Sequence, residues 1–308
     1  MTQTELFPTH SDTYGICELF CGAGGMGSGF ANHFTISQAI DIKPEAVQTY
    51  QANHPETQTI KKDISILSGA TNDFTGITGI IGGPPCQAWS RRNIKQDPDD
   101  PRRLLVNDFM RLVSEIKPDF FVLENVVGTP KDIKIAISDQ SKHLEYHTRS
   151  TCLKASDHGA AQTRPRWVVI GSKTKIPDIK KYPAITVNDA FSPITHNWGY
   201  MKSNITTVAR FKTASTTDWQ PMNGKYKNMI RLTGTTPAPT VVNPKKVYMI
   251  HPAEDRNITL AEAAALQGFP PDYIWKGTES QIGQMIANAM PSQLASAIAE
   301  SISKTYIG

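Results

Sequence analysis

The sequence predicts an α/β protein, a doubly wound and mostly parallel sheet followed by a smaller domain that is irregular and β-rich. Three observations carry this. From Tyr14 to about Lys173, short apolar runs alternate with amphipathic helical segments, the rhythm of βαβ units with right-handed crossovers. Between residues 192 and 255 that rhythm lapses into a stretch rich in Thr, Asn, Pro and Gly, with no sustained helical period. Helical pattern then returns and holds to the end. The expected division is 1–185 for the first domain, 186–274 for the second, and 275–308 for a helical segment returning to the first.

"YGICELF" reads as the first strand and opens into a glycine-rich turn. "FTISQAID" is the next strand, and "PEAVQTYQAN" is a helix with apolar residues at helical spacing. "GITGIIGG", "DFFVLEN" and "RWVVIGS" are further strands, with "RRLLVNDFMRLVSEI" a helix between two of them. In "TLAEAAALQGF" Thr259 can cap a helix and Glu262 completes a capping box. A second helix follows in "GQMIANAMPSQLASAIAESI", where Pro291 must begin a new segment or kink it.

The 308 residues suffice for one large domain or a large and a small one. No apolar run approaches the roughly 18 residues of a membrane span, and "MTQTELFPTHSD" lacks the basic start and apolar core of a secretory signal. The four cysteines, Cys17, Cys21, Cys86 and Cys152, form no CxxC pair and no metal-ligand spacing. The expectation is a protein of a reducing compartment, the cytoplasm, with no metal site.

The net charge of +4 is unevenly placed. Between His196 and Ile250 eight basic residues face the single acid Asp218, a net +7, with Trp198, Tyr200, Phe211, Trp219, Tyr226 and Tyr248 interleaved. A basic, aromatic segment on a mildly acidic body suits a polyanion partner; a solvated surface is the plainer reading.

Two stretches bear chemistry. "ELFCGAGGMGSGF" sets Gly22, Gly24 and Gly27 in a G-x-G-x-x-G arrangement after a strand, and Asp41 ends the next strand. Glycines there let a backbone approach a ligand, and a carboxylate accepts from two ribose hydroxyls at once. A nicotinamide dinucleotide and S-adenosylmethionine both remain open on this pattern alone. "GGPPCQAWS" ends an apolar strand on a stiff turn carrying Cys86. Prolines there prevent helix or central strand from continuing, and open α/β sheets bind ligands at such strand ends. The alternative is a buried, inert thiol.

Taken in order with "LENV", "AQTRPR", "LQGFP" (preceded by Arg256 and Glu262) and "ANAMP", these stretches resemble the DNA cytosine-5 methyltransferase family. Its Gly-Pro-Pro-Cys-Gln, Glu-Asn-Val and Gln-x-Arg-x-Arg signatures all match; Ala287 stands where glycine is usual. The resemblance runs from about Tyr14 to the C-terminus, apart from the region around 192–235. It implies the Rossmann-like fold of S-adenosylmethionine-dependent methyltransferases, and methyl transfer to C5 of a flipped-out cytosine in double-stranded DNA.

On that resemblance, Cys86 is the nucleophile that adds to cytosine C6 and makes C5 enamine-like. Glu124 shares a proton with N3, and Arg164 offsets charge at O2. Arg166 completes the catalytic set, and Asn125 is structural, holding the cysteine turn. S-adenosylmethionine is expected on Phe20 and the backbone of Cys21, Gly22, Gly24 and Gly25. Asp41 would hold the ribose, Ile42 would face the adenine, and Asp63 would accept from its amino group, though such an acid can also be a plain cap. Pro84, Leu105 and Asn288 would line the same pocket.

Residues 87–103 are polar and proline-studded, suiting a loop that closes over the extruded base. Gln87, Ser90, Arg91 and Arg92 are expected on DNA there, and Lys227, Arg231, Thr240 and Val241 in the target-recognition region. The expected partners are double-stranded DNA, by resemblance, and a cognate restriction endonuclease acting on the same site; no membrane is expected, and a monomer is expected because flipping one base needs only one subunit. RNA methylation and a non-catalytic DNA-binding regulator are the alternatives.

Overall fold

The computed structural model describes residues 15–306, apart from 71, 86–103, 177, 202, 204 and 223–226. Strands β1 (Gly15–Leu19), β2 (Thr35–Asp41), β3 (Gln58–Lys61), β4 (Ile77–Gly82), β5 (Phe120–Val126), β6 (His147–Lys154) and β7 (Pro165–Ser172) form one sheet. Their order is β3-β2-β1-β4-β5-β7-β6. All pair in parallel from β3 through β5; β7 runs antiparallel to both its neighbours. The chain builds one edge from β1 outward, then returns to lay β4 on the other side of β1. That reversal opens a crevice at the carboxyl ends of β1 and β4, where open α/β sheets receive ligands.

The strands of the middle are short apolar runs because both faces are covered. Helices α1 (Gly25–Phe30), α2 (Pro44–Asn53), α3 (Leu105–Ile116) and α4 (Lys131–His143) supply part of that cover. In α3, Val106, Phe109, Met110 and Val113 are buried, an i, i+3, i+4, i+7 stripe facing the sheet. The last helix, α9 (Ser292–Tyr306), buries Leu294, Ala295, Ile298 and Ile302 in the cluster that also holds Met26 and Phe30 of α1. β3, β6 and α4 have no counterpart in the sequence reading. β6 alternates exposed and half-buried residues, the mark of a sheet edge rather than a core run.

Beyond β7 come α5 (Val187–Phe191), α6 (Ile205–Phe211) and a small sheet of β8 (Gln220–Met222), β9 (Lys227–Arg231) and β10 (Tyr248–Ile250), ordered β10-β9-β8. Helices α7 (Leu260–Leu266) and α8 (Glu279–Asn288) follow. The capping box on α7 is formed: the Glu262 N–H donates to the Thr259 hydroxyl (3.1 Å) and the Thr259 N–H to Glu262 Oε2 (2.9 Å). Pro291 falls between α8 and α9 and separates them. One hydrophobic cluster joins Ala46 and Ala161 to Val187, Met249, Leu260 and Ile286. Among the described residues no helix is long and apolar enough to cross a membrane.

Candidate active site

After β1 the backbone turns through positive φ at Phe20 (57°), Gly22 (54°) and Gly24 (82°). A Cβ on Gly24 would lie 3.0 Å from the Tyr50 ring and 3.1 Å from the Tyr273 hydroxyl, so both conformation and space require glycine. The turn aims peptide N–H groups at the next strand end. The Gly22 N–H donates to Asp41 Oδ2 (3.0 Å) and the Lys43 N–H to Oδ1 (2.9 Å). Burial pushes the Asp41 carboxyl above its ordinary value, and these two bonds only partly counter that. Asp63 caps the 3-10 turn Ile64–Ile66, its Oδ1 accepting from the Ser65 N–H (3.0 Å) and hydroxyl (2.8 Å). The plain-cap reading of Asp63 is therefore present in the structure.

These groups surround a cavity of about 630 Å³. The turn contributes Phe20, Cys21, Gly22 and Gly25; Asp41, Ile42 and Asp63 come from the β2 and β3 ends; Pro84, Leu105 and Asn288 complete the expected set. Gly24 packs behind the turn and does not line it. Ile42 is 57% exposed beside Asp41. Two carboxylates, an exposed apolar side chain and a run of peptide groups suit a nucleoside cofactor with a polar tail. Among the described residues no group of His, Cys, Asp or Glu could hold a metal ion.

Sequence reasoning missed Glu18, which also lines the cavity. It is buried within β1, Oε1 accepting from the Gly27 N–H (3.1 Å) and Oε2 from the Tyr50 hydroxyl (2.8 Å). Desolvation pushes its carboxyl up to about 8, against the pull of those two bonds. The signal was an acid inside an otherwise apolar strand just before a glycine turn.

The same cavity holds a second chemistry. Glu124 stands two residues before the end of β5, and Arg166 is the second residue of β7. In the antiparallel register Glu124 faces Val168 and Val126 faces Arg166, so Arg166 is the diagonal neighbour of Glu124 on one face. Arg166 Nε lies 2.5 Å from Glu124 Oε1, both side chains about nine-tenths buried. A Cβ on Gly83 would sit 2.8 Å from Glu124 Oε2; glycine before the prolines lets the turn approach the carboxylate. Asn125 Nδ2 donates to the Pro84 carbonyl (3.1 Å), and its Oδ1 accepts from the Val126 N–H (2.8 Å). Asn125 thus holds the turn from which Cys86 follows in sequence. Cys86 itself, with Gln87, Ser90, Arg91 and Arg92, lies outside the described residues.

Three of the expected residues, Arg164, Val241 and Arg231, bond within the protein itself. Arg164, expected at the substrate, is 2% exposed and donates from Nη1 to the Val241 carbonyl (3.0 Å) and from Nη2 to the Ala287 carbonyl (2.6 Å). It touches the cavity wall but ties together three chain segments, and the cation beside Glu124 is Arg166. Val241, expected on DNA, is buried, and its N–H donates to Gln162 Oε1 (3.1 Å). Arg231, also expected on DNA, donates to the carbonyls of Phe211, His251 and Glu254 and pairs with Asp255 at 2.6 Å. An arginine of such bonding is part of the protein's own framework. Thr240 is half-buried. Lys227 lies on β9, and its side chain lies outside the described set.

The sequence matches the family of C-5 cytosine-specific DNA methylases over residues 14–304. It is 30% identical to the Type II methyltransferase M1.HphI of Haemophilus parahaemolyticus over 93% of this chain and 86% of that protein. Identity to the Type II methyltransferase M.FnuDI of Fusobacterium nucleatum is also 30%, over 94% of each. Among solved structures, a prophage-encoded DNA modification methyltransferase candidate of E. coli superposes with a TM-score of 0.81 at 25% identity, covering 96% of this chain and all of that one. A match of that extent, on a sheet whose crevice gathers the Glu-Asn-Val, Arg-x-Arg and glycine-turn residues, establishes that the chain belongs to the C-5 cytosine-specific DNA methylases.

Proposed function

We propose that this protein is a sequence-specific DNA cytosine-5 methyltransferase, with S-adenosylmethionine as methyl donor and Cys86 as nucleophile toward an extruded cytosine. The observation that carries the reading is one cavity shared by Asp41, at the end of β2, and the Glu124–Arg166 pair, at the ends of β5 and β7. A cofactor and a base held there would meet at the sheet's switch point.

Asp41 would hold the ribose hydroxyls, Asp63 and Ile42 the adenine, and the peptide groups of Cys21 and Gly22 the amino-acid tail. When bound, the cofactor supplies an electrophilic methyl group. The Cys86 thiolate adds to C6, and the ring's electron pair moves toward C5. Glu124 shares a proton with N3 as charge builds there, and the Arg166 guanidinium keeps that carboxyl in place and offsets charge on the ring. After transfer the C5 proton leaves to water and the C6–S bond breaks, restoring the thiolate and the aromatic ring. Residues 186–274 would carry target recognition. The relatives named as Type II methyltransferases support a partner endonuclease cutting the same site.

Bisulfite sequencing of DNA from cells expressing the protein tests activity, target base and site together. Duplexes bearing 5-fluorocytosine at that site should trap an adduct at Cys86. An adduct mapping to another cysteine, or methylation by Cys86→Ser equal to the parent, overturns the mechanism; methylated tRNA with unmodified DNA overturns the substrate.

A further inference from the structure

The geometry points to Arg111 as the positioning residue that shapes the adenine end of the cofactor site. This rests on the cofactor reading above and goes beyond it, because Arg111 does not line the cavity. Asp63, Ile64 and Ser65 do, and they belong to a short turn between β3 and β4 that no sheet pairing holds. Its own backbone bonds are few and long: the Ile66 N–H to the Asp63 carbonyl at 3.4 Å, and the Leu67 N–H to the Ile64 carbonyl at 3.2 Å.

Arg111 reaches this turn from α3. Its Nη1 donates to the Leu67 carbonyl (2.7 Å), and its Nη2 to the carbonyls of Ile64 (3.2 Å) and Ser65 (3.4 Å). Asp108 (3.3 Å) and Glu115 (3.2 Å), one turn to either side on the same helix face, hold the guanidinium. Glu115 also accepts from the Gly69 N–H at 2.6 Å. One planar cation therefore bridges the carbonyls of Ile64, Ser65 and Leu67 to a rigid helix. A guanidinium has the fork of donors to do this; a lysine ammonium is a point charge and does not. The consequence falls on Asp63, whose carboxylate must stand at a fixed place to accept from an exocyclic amino group. Asp41 is held separately, by the Gly22 and Lys43 N–H groups.

The inference separates adenine recognition from ribose recognition, and that is how it is tested. Binding of S-adenosylhomocysteine and of S-inosylhomocysteine, which carries a keto group in place of the amino group, is measured by calorimetry on the full chain. The parent should prefer the adenosyl compound. Arg111→Met should lose about tenfold in affinity for it and most of that preference, with affinity for the inosyl compound little changed. Arg111→Lys should fall between, and it decides the matter if Arg111→Met does not fold. Equal losses for both compounds, or a preference kept intact in a folded variant, overturn the inference. A parent that binds neither compound overturns the cofactor reading beneath it.

Discussion

Arg166 reaches Glu124 diagonally across the antiparallel pairing of β5 and β7, Nε to Oε1 at 2.5 Å. Two residues earlier, Arg164 turns into the protein and grips the carbonyls of Val241 and Ala287. The two arginines of one short motif thus do different work. Glu124→Gln should lower kcat by about a hundredfold or more, the scale of a lost proton-sharing group, while S-adenosylhomocysteine binding stays within about twofold. Arg166→Lys should lower kcat in the same assay without loss of fold. Arg164→Met should instead lower stability by about 3 kcal/mol in denaturant unfolding. Equal effects of the two arginines on stability would contradict this division.

In the proposed role of ribose ligand, Asp41 must be ionised to accept from two hydroxyls, and burial raises its pKa. Affinity for S-adenosylhomocysteine should therefore weaken on acidification at a higher pH than an ordinary aspartate would cause. Asp41→Asn should cost about tenfold in affinity and remove that part of the pH dependence. Calorimetric titrations at several pH values read both effects.

Burial pushes the Glu18 carboxyl from its ordinary value of 4.5 up to about 8 in the folded chain. Between those values the unfolded chain has released a proton that the folded chain keeps. This contribution to stability therefore falls as pH rises from about 4.5 to about 8 and is level beyond. Glu18→Gln should flatten the profile over that window, as read from unfolding free energies. An unchanged slope would place the cause elsewhere.

Glu262 behaves oppositely. Burial raises its carboxyl's pKa, but Arg256, bound at 2.7 and 2.8 Å, and the Thr259 N–H outweigh burial and hold it below the usual range. A depressed folded value adds stability that is present above the unfolded pKa and lost as pH falls through the folded one. Glu262→Gln should cost about 1–3 kcal/mol near neutrality and progressively less in acid. Denaturant melts at pH 7 and pH 4 would show the difference.

Much of this site could be read from the chain. Glycines at fixed offsets, a carboxylate closing β2 and "LENV" at a strand end are local patterns. Each obeys a constraint that acts over a few residues: positive φ, the end of a strand, a proline turn. The inward bonding of Arg231 and Val241 is not legible in the chain, because charge and motif position do not say which way a side chain points. Glu18 was passed over because nothing within a strand announces that a helix N-terminus and Tyr50 will come to meet it. Edge strand β6 and helix α4 lack the apolar runs that make central elements visible.

The sequence by itself determined the alternation of strands and helices, the switch point they imply, the family, and which residue types stand at the strand ends. These follow from hydrophobic period and turn chemistry, which are short-range. Tertiary structure alone decided that Arg166 rather than Arg164 partners Glu124, and that Arg111 holds the turn carrying Asp63. Both depend on strand register and helix docking, where groups 42 to 47 positions apart in the chain meet. A guanidinium has many possible partners, and only packing selects among them.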